Sequence, residues 1–131
     1  GFAVGVYGVG IDDASAYHVV YAVAARTFGA LGRVTVGGSI GMGDPLLFGG
    51  PALHKRASVL FAWEKTLSEI SDKIWAAVDY QGTDSAIGAL SFGISYAFAK
   101  NASILFGYDI YNEKKTGGEN TFTVQLDINF P

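Results

Sequence analysis

The chain has 131 residues, half of them hydrophobic and only 16% charged, with nine Lys and Arg against twelve Asp and Glu and no cysteine. That length holds about one domain, and the missing thiols exclude a disulfide framework and a thiolate metal site. A net charge of −3 with a pI near 5.2 excludes the clustered basic footprint of a nucleic-acid binder. Mean hydropathy is +0.28, yet the longest unbroken apolar run is Val19 to Ala25, far short of the roughly 20 residues of a spanning helix. The chain opens on Gly1-Phe2-Ala3-Val4 with neither an initiator Met nor a signal-peptide pattern, which predicts a mature form or missing residues before Gly1.

In chain order, eight segments with strand character alternate with turn signals, the spacing of an all-β meander. Phe2 to Ile11 is apolar and Gly-rich and stops at Asp12-Asp13-Ala14-Ser15. His18 to Phe28 sets Tyr17, Val19, Tyr21, Val23 and Ala25 against His18, Val20, Ala22, Ala24 and Arg26. After Gly29-Ala30-Leu31-Gly32, Arg33 to Met42 sets Val34, Val36, Ile40 and Met42 against Arg33, Thr35, Gly37, Ser39 and Gly41. The longest loop, Asp44 to Arg56, holds His54-Lys55-Arg56, the only basic triplet.

Ser58 to Thr66 places Val59, Phe61 and Trp63 opposite Ser58, Leu60, Ala62 and Glu64, and Ile74 to Gln81 alternates in the same way. Here a second pattern overlaps, because Thr66-Leu67-Ser68-Glu69 is a capping box ahead of Leu67, Ile70, Ile74 and Val78 at helical spacing. A helix over Ser68 to Asp79 therefore competes with the strand. Continuity of the meander favours the strand. Gly88 to Phe98 and Ser103 to Tyr111 follow, and Glu113 to Asn120 is a charged loop with Gly117-Gly118. Last, Asn120 to Phe130 alternates without a fault, Phe122, Val124, Leu126, Ile128 and Phe130 against Thr121, Thr123, Gln125, Asp127 and Asn129.

The two faces differ in size as well as polarity. One repeats Phe, Tyr, Trp, Ile, Leu and Val, while the other mixes Gly, Ala, Ser and Thr with isolated charges. A water-soluble sheet carries Lys and Glu in quantity on its outer face. A barrel in an outer membrane instead shows large apolar residues to lipid and small or polar ones to its lumen. The expected fold is thus an all-β antiparallel up-and-down meander of about eight strands closed as a transmembrane β-barrel. It forms one domain over residues 1–131, either a whole barrel or the C-terminal part of a larger one.

Thr121-Phe122-Thr123-Val124-Gln125-Leu126-Asp127-Ile128-Asn129-Phe130 resembles the closing strand of Gram-negative outer-membrane β-barrels, and Ala89 to Phe98 with Ile104 to Tyr108 resembles the late hairpins of porin-like barrels. The resemblance implies a porin-like pore or structural anchor in an outer membrane, with lipid bilayer and lipopolysaccharide around it. It also implies that Phe130 is the terminal aromatic read by the barrel assembly machinery, that assembly into a homo-oligomer is open, and that both termini lie at the periplasmic end. The other reading of the residues is a water-soluble or secreted β-barrel or sandwich that holds an apolar ligand or assembles through strand edges.

Candidate chemistry is sparse, and no enzyme activity, metal or cofactor is expected. His18 with Ser39 or Ser91 could sketch a hydrolase, Asp12, Asp13 and Asp84 could offer oxygens to a hard cation, and Gly5-x-x-Gly8-x-Gly10 lacks the helix of a phosphate loop. Tyr17, Tyr21, Trp63, Tyr80, Tyr96, Tyr108 and Phe130 sit towards strand ends, as an interfacial aromatic girdle does. The expected strand directions bring Arg26, Arg33, Glu64 and Asp127 to a similar depth near the periplasmic end, facing inward. Buried charges pair because an unpaired one is expensive, so these four are expected to form a plugging network in the lumen.

Overall fold

A computed structural model describes residues 1–7, 18–42 and 57–130. Its strands are β1 (Phe2–Tyr7), β2 (His18–Thr27), β3 (Arg33–Met42), β4 (Ala57–Thr66), β5 (Ile74–Gln81), β6 (Ala89–Ala99), β7 (Ala102–Tyr111) and β8 (Thr121–Ile128). All eight belong to one antiparallel sheet in sequence order. Each strand pairs with its neighbour along the chain, so the connections are local hairpins. The all-β meander is therefore present, with one α-helical turn among the described residues, at Lys114–Gly117 inside the charged loop. The contest over residues 68–79 goes to the strand: Leu67 to Lys73 turns the chain, Ile70 N–H donating to Leu67 O and Leu67 N–H to Ile74 O, and β5 begins at Ile74. Its side chains gain cross-strand partners on both sides, which a lone helix would forfeit.

Closure does not follow from the same pairing. β1 pairs only with β2 and β8 only with β7, so the sheet has two free edges and is not shut into a barrel. The accessible surface is 8504 Å² for a 13.8 kDa chain, against about 6,600 Å² for a compact monomer of this mass. Among the described hydrophobic residues only Val19 and Ala89 are buried. The sheet is held by its hydrogen-bond ladders and cross-strand pairs rather than by a two-layer core.

The connections fall into two sets. Gly29–Leu31 forms a 3₁₀ turn between β2 and β3, residues 67–73 join β4 to β5, and Lys100-Asn101 joins β6 to β7, all at one end. Residues 8–17, 43–56, 82–88 and 112–120 connect strands at the other end. Loop length is thus asymmetric across the sheet. The Asp12-Asp13 pair, His54 and Gly8 and Gly10 lie outside the described residues.

Gly37 and Gly88 are among the glycines demanded by close approach. A Cβ on Gly37 would stand 2.1 Å from Ala22 O and 2.8 Å from Val23 Cα, so the backbones of β2 and β3 crowd there, the use of a strand glycine at a bend. A Cβ on Gly88 would stand 1.6 Å from Thr83 O. That contact closes the 82–88 loop, where Asn112 Nδ2 donates to Gln81 O and Thr83 O at 2.8 Å each and Asn112 N–H donates to Gly88 O at 3.0 Å. Gly88→Ala is expected to open this loop and cost about 1–3 kcal/mol, since backbone must move and the Gln81 and Thr83 carbonyls lose the Asn112 amide. Limited proteolysis between residues 82 and 88 should become faster than in the parent, and unchanged resistance would count against the closed loop.

Candidate functional site

The registers fix which side chains share a face. Phe2, Val4 and Val6 pair with Ala24, Ala22 and Val20, which pair with Val36, Gly38 and Ile40, and these with Phe61, Val59 and Ala57. The same face continues through Val78, Phe92, Tyr108 and Phe122. Its large residues are exposed on every strand but β5, where Ile74, Val78 and Tyr80 are half-buried, with Phe2 at 74% and Phe122 at 66% among the exposed ones. Phe106 and Phe122 stack on it with ring centroids 6.3 Å apart. The opposite face carries Ala3, Gly5, Tyr21, Thr35, Ser39, Leu60, Asp79, Ser91, Gly107 and Thr123.

Charge is distributed with equal regularity. Along the described strands the apolar face has two charged side chains, Arg26 and Lys65, both in the last turn-proximal residues of β2 and β4. The Arg26 guanidinium carbon lies 5.3 Å from the Phe28 ring centroid, Trp63 Nε1 donates to Leu31 O at 2.7 Å, and Lys65 Nζ pairs with Glu69 on the turn. The Lys65 hydrogen bond, with help from the backbone of Glu69 itself, holds the Glu69 carboxyl below the usual carboxylate range, against a small opposing desolvation. The central part of the face is free of charge.

Of the four residues expected to form one inward network, the sheet brings two together. Arg33 and Glu64 are directly opposed on β3 and β4, with Nη1 3.6 Å from Oε1. Arg26 pairs with Val34 on the other face, because Arg26 and Arg33 are seven residues apart across a turn and fall in opposite phases of the alternation. That is a correction to its inward placement. Asp127 shares the inward face but lies off the Arg33–Glu64 line. The pairing line from Glu64 runs through Ala77, Gly93 and Gly107 to Thr123, four positions from Asp127 along β8. Its hydrogen bond is from Gln125 Nε2, at 2.6 Å.

The hydrolase sketch is not assembled. Ser39 Oγ lies 2.8 Å from Ser58 Oγ on the inward face, while His18 opposes Met42 in the other phase. Asp84 is in the 82–88 loop, and no group of three His, Asp or Glu able to hold a metal occurs among the described residues. Tyr21 also leaves the expected girdle, since its inward ring covers Gly5, with Cζ 2.5 Å from where a Cβ would be. Tyr17 lies outside the described residues, and Phe130, the proposed assembly signal, is exposed at 85% just beyond β8.

One inward feature was not anticipated. Asp79, Ser91, Asp109 and Thr121 follow one pairing line across four strands, with Thr121 Oγ1 donating to Asp109 Oδ2 at 3.1 Å. A hollow of about 290 Å³ lies beside them, floored by Ala77, Gly93 and Gly107. A larger hollow of about 530 Å³ at the short-turn end is lined by Arg33, Glu64, Glu69 and Trp75. Strand alternation would have given the face of each aspartate, but only the register sets them in line.

Compared with family models, curated proteins and solved structures, the chain matches none.

The Arg33–Glu64 pair is solvent-accessible, with side chains 53% and 39% exposed, and exposed pairs contribute little. Arg33→Ala should therefore cost less than about 1 kcal/mol rather than the roughly 3 kcal/mol of a stranded buried carboxylate. Urea unfolding of the two proteins measures the difference, and a cost near the larger figure would mean that Glu64 is far less hydrated than its exposure indicates.

Proposed function

We propose that this chain is a β-barrel of a Gram-negative-type outer membrane that serves as a structural anchor or porin-like pore and has no chemistry of its own. The observation that carries this reading is the charge-free centre of the apolar face, bounded at the short-turn end by Arg26, Lys65 and Trp63. Cations whose stems lie along apolar surface and whose heads reach water, beside an indole, are the residues of a membrane–water boundary. A protein in water would leave this face, with Val4, Val36, Val59, Phe92 and Val124 exposed, as a patch far larger than soluble monomers show. In lipid the same face is solvated, and free strand edges must be paired because hydrocarbon offers no hydrogen bonds.

Under this reading the partners are bilayer lipid and lipopolysaccharide on the outer face and the barrel assembly machinery during insertion, with Phe130 as its recognition element. The short turns lie at the periplasmic end and the longer loops outside. Eight strands enclose too little room for an aqueous channel, so an anchor fits a single chain better and a pore requires further strands or several copies. The free edges of β1 and β8 favour a second reading, a water-soluble sheet that assembles through strand edges. Extraction separates the two: a membrane barrel needs detergent to leave the membrane fraction, whereas an edge-assembled soluble protein stays in the aqueous phase.

Replacing Phe92 or Val124 by Arg should cost about 2–4 kcal/mol in unfolding from lipid, while Arg at Ser91 or Thr123 should be tolerated better. Equal costs for both sets would show that the faces are assigned wrongly. Deleting Phe130 and Pro131 should lower the inserted fraction in cells more than it lowers the stability of protein already folded. A full yield of heat-modifiable protein after that deletion would remove Phe130 from the assembly role.

A further inference from the structure

Neither edge strand is built to remain bare. β1, Phe2-Ala3-Val4-Gly5-Val6-Tyr7, carries no charge and no proline, and β8 carries Asp127 as its only charge. Soluble proteins blunt such edges with Lys, Pro, bulges or covering loops. Here the edge backbones are regular to their ends, since Gly1 N–H and O both bond to Ala25 and Asn129 N–H donates to Asn101 O. Both edges therefore need partner strands.

The registers say which partner fits. A single pairing line runs from Gly1 through Ala25, Thr35, Ala62, Asp79, Ser91 and Asp109 to Thr121. It leaves β1 at the short-turn end and reaches β8 at the long-loop end. The strands are thus already inclined to the direction in which the sheet would close, as barrel strands must be. Only an even stagger keeps Phe2, Val4 and Val6 on the same face as Val124, Leu126 and Ile128, because a slip of one residue turns every side chain over. With about 3.4 Å per residue and about 4.8 Å between antiparallel strands, a stagger of ten tilts eight strands by about 42°, well inside the usual range of about 35–45°. Staggers of eight and twelve give about 35° and about 47°, at its lower edge and above it.

Resting on the membrane-barrel reading above, we propose that the partner of β8 is β1 of the same chain, in a register that sets Val4 opposite Ile128, Gly5 opposite Asp127 and Val6 opposite Leu126. This closure leaves no free edge, continues the apolar face without interruption and brings the two chain ends together at the short-turn end. It also gives the glycine at position 5 a role, since that residue faces inward under the Tyr21 ring and leaves room at the seam.

Because the chain has no cysteine, paired substitutions report the register directly. The full chain, folded in detergent or lipid, is compared as Val4→Cys with Ile128→Cys, Val4→Cys with Leu126→Cys, and Val4→Cys with Phe130→Cys under mild oxidation. Directly opposed residues lie about 4.5–5.5 Å apart and diagonal ones about 7–8 Å, whereas a disulfide tolerates Cα separations up to about 6.8 Å. The 4/128 pair should crosslink within one chain about tenfold faster than either offset pair, as that distance limit requires. Fastest crosslinking at 4/126 or 4/130, crosslinks joining two chains, or no crosslink in folded protein would each overturn the closure. If the chain needs detergent to stay in solution in those cases, the membrane reading survives alone. If it folds without detergent and the 4/128 bond still forms, closure stands and the membrane reading falls.

Discussion

A β-strand offers its two faces to different surroundings, and an antiparallel register locks that choice from strand to strand. In this protein the constraint is obeyed over all eight strands, so that one phase of the alternation becomes a continuous surface of Val, Ile, Leu and aromatic side chains. The other phase becomes a surface of Gly, Ala, Ser and Thr with carboxylates, interrupted by Tyr21, Val23, Leu60, Trp75 and Leu105. Since only Val19 and Ala89 are buried among the described hydrophobic residues, the sheet does not protect its apolar face by folding over it. In the membrane reading proposed above, hydrocarbon is the medium in which such a face needs no cover.

The same locking explains where charges sit. Arg26 and Lys65 belong to the apolar phase and are tolerated because each stands beside a short turn, where Phe28 and Glu69 receive its charged head. Asp79 and Asp109 belong to the other phase and stand two residues before the long-loop ends of β5 and β7, either side of Ser91 on the same line. A carboxylate on the charge-free part of the apolar face would meet no donor. On the small-residue face it has Thr121 beside it and a hollow floored by Ala77, Gly93 and Gly107.

Turn chemistry and sheet shape are coupled as well. The short connections hold their strands in tight hairpins, whereas the opposite end has loops with architecture of their own, the best described being 82–88 clamped by Asn112. At Gly37 the backbone of β2 leaves no room for a side chain on β3. A larger residue there would push the two backbones apart, and with them the inclination of the strands on which any closure depends.

Periodicity alone determined the strand positions: seven of the eight strands begin and end within two residues of the segments read from alternation, with β1 described only to Tyr7. It determined the alternation of each strand too, because a period of two leaves no freedom once one residue is placed, but not which side each phase takes: on β2, Val20, Ala22 and Ala24 join the apolar face and Tyr21 and Val23 the opposite one. At residues 68–79 two local patterns overlapped, and cross-strand partners on β4 and β6 decided for the strand. Sequence could not align charges across strands. The failure at Arg26 came from treating depth as sufficient when phase also mattered, and Asp127 was separated from Glu64 by the accumulated register of four hairpins. The Asp79–Asp109 line emerged for the same reason, since register is set by how turns and cross-strand pairs settle together. Alternation is a property of each strand and is written locally, whereas register and edge pairing belong to the whole sheet and appear only when its strands are assembled.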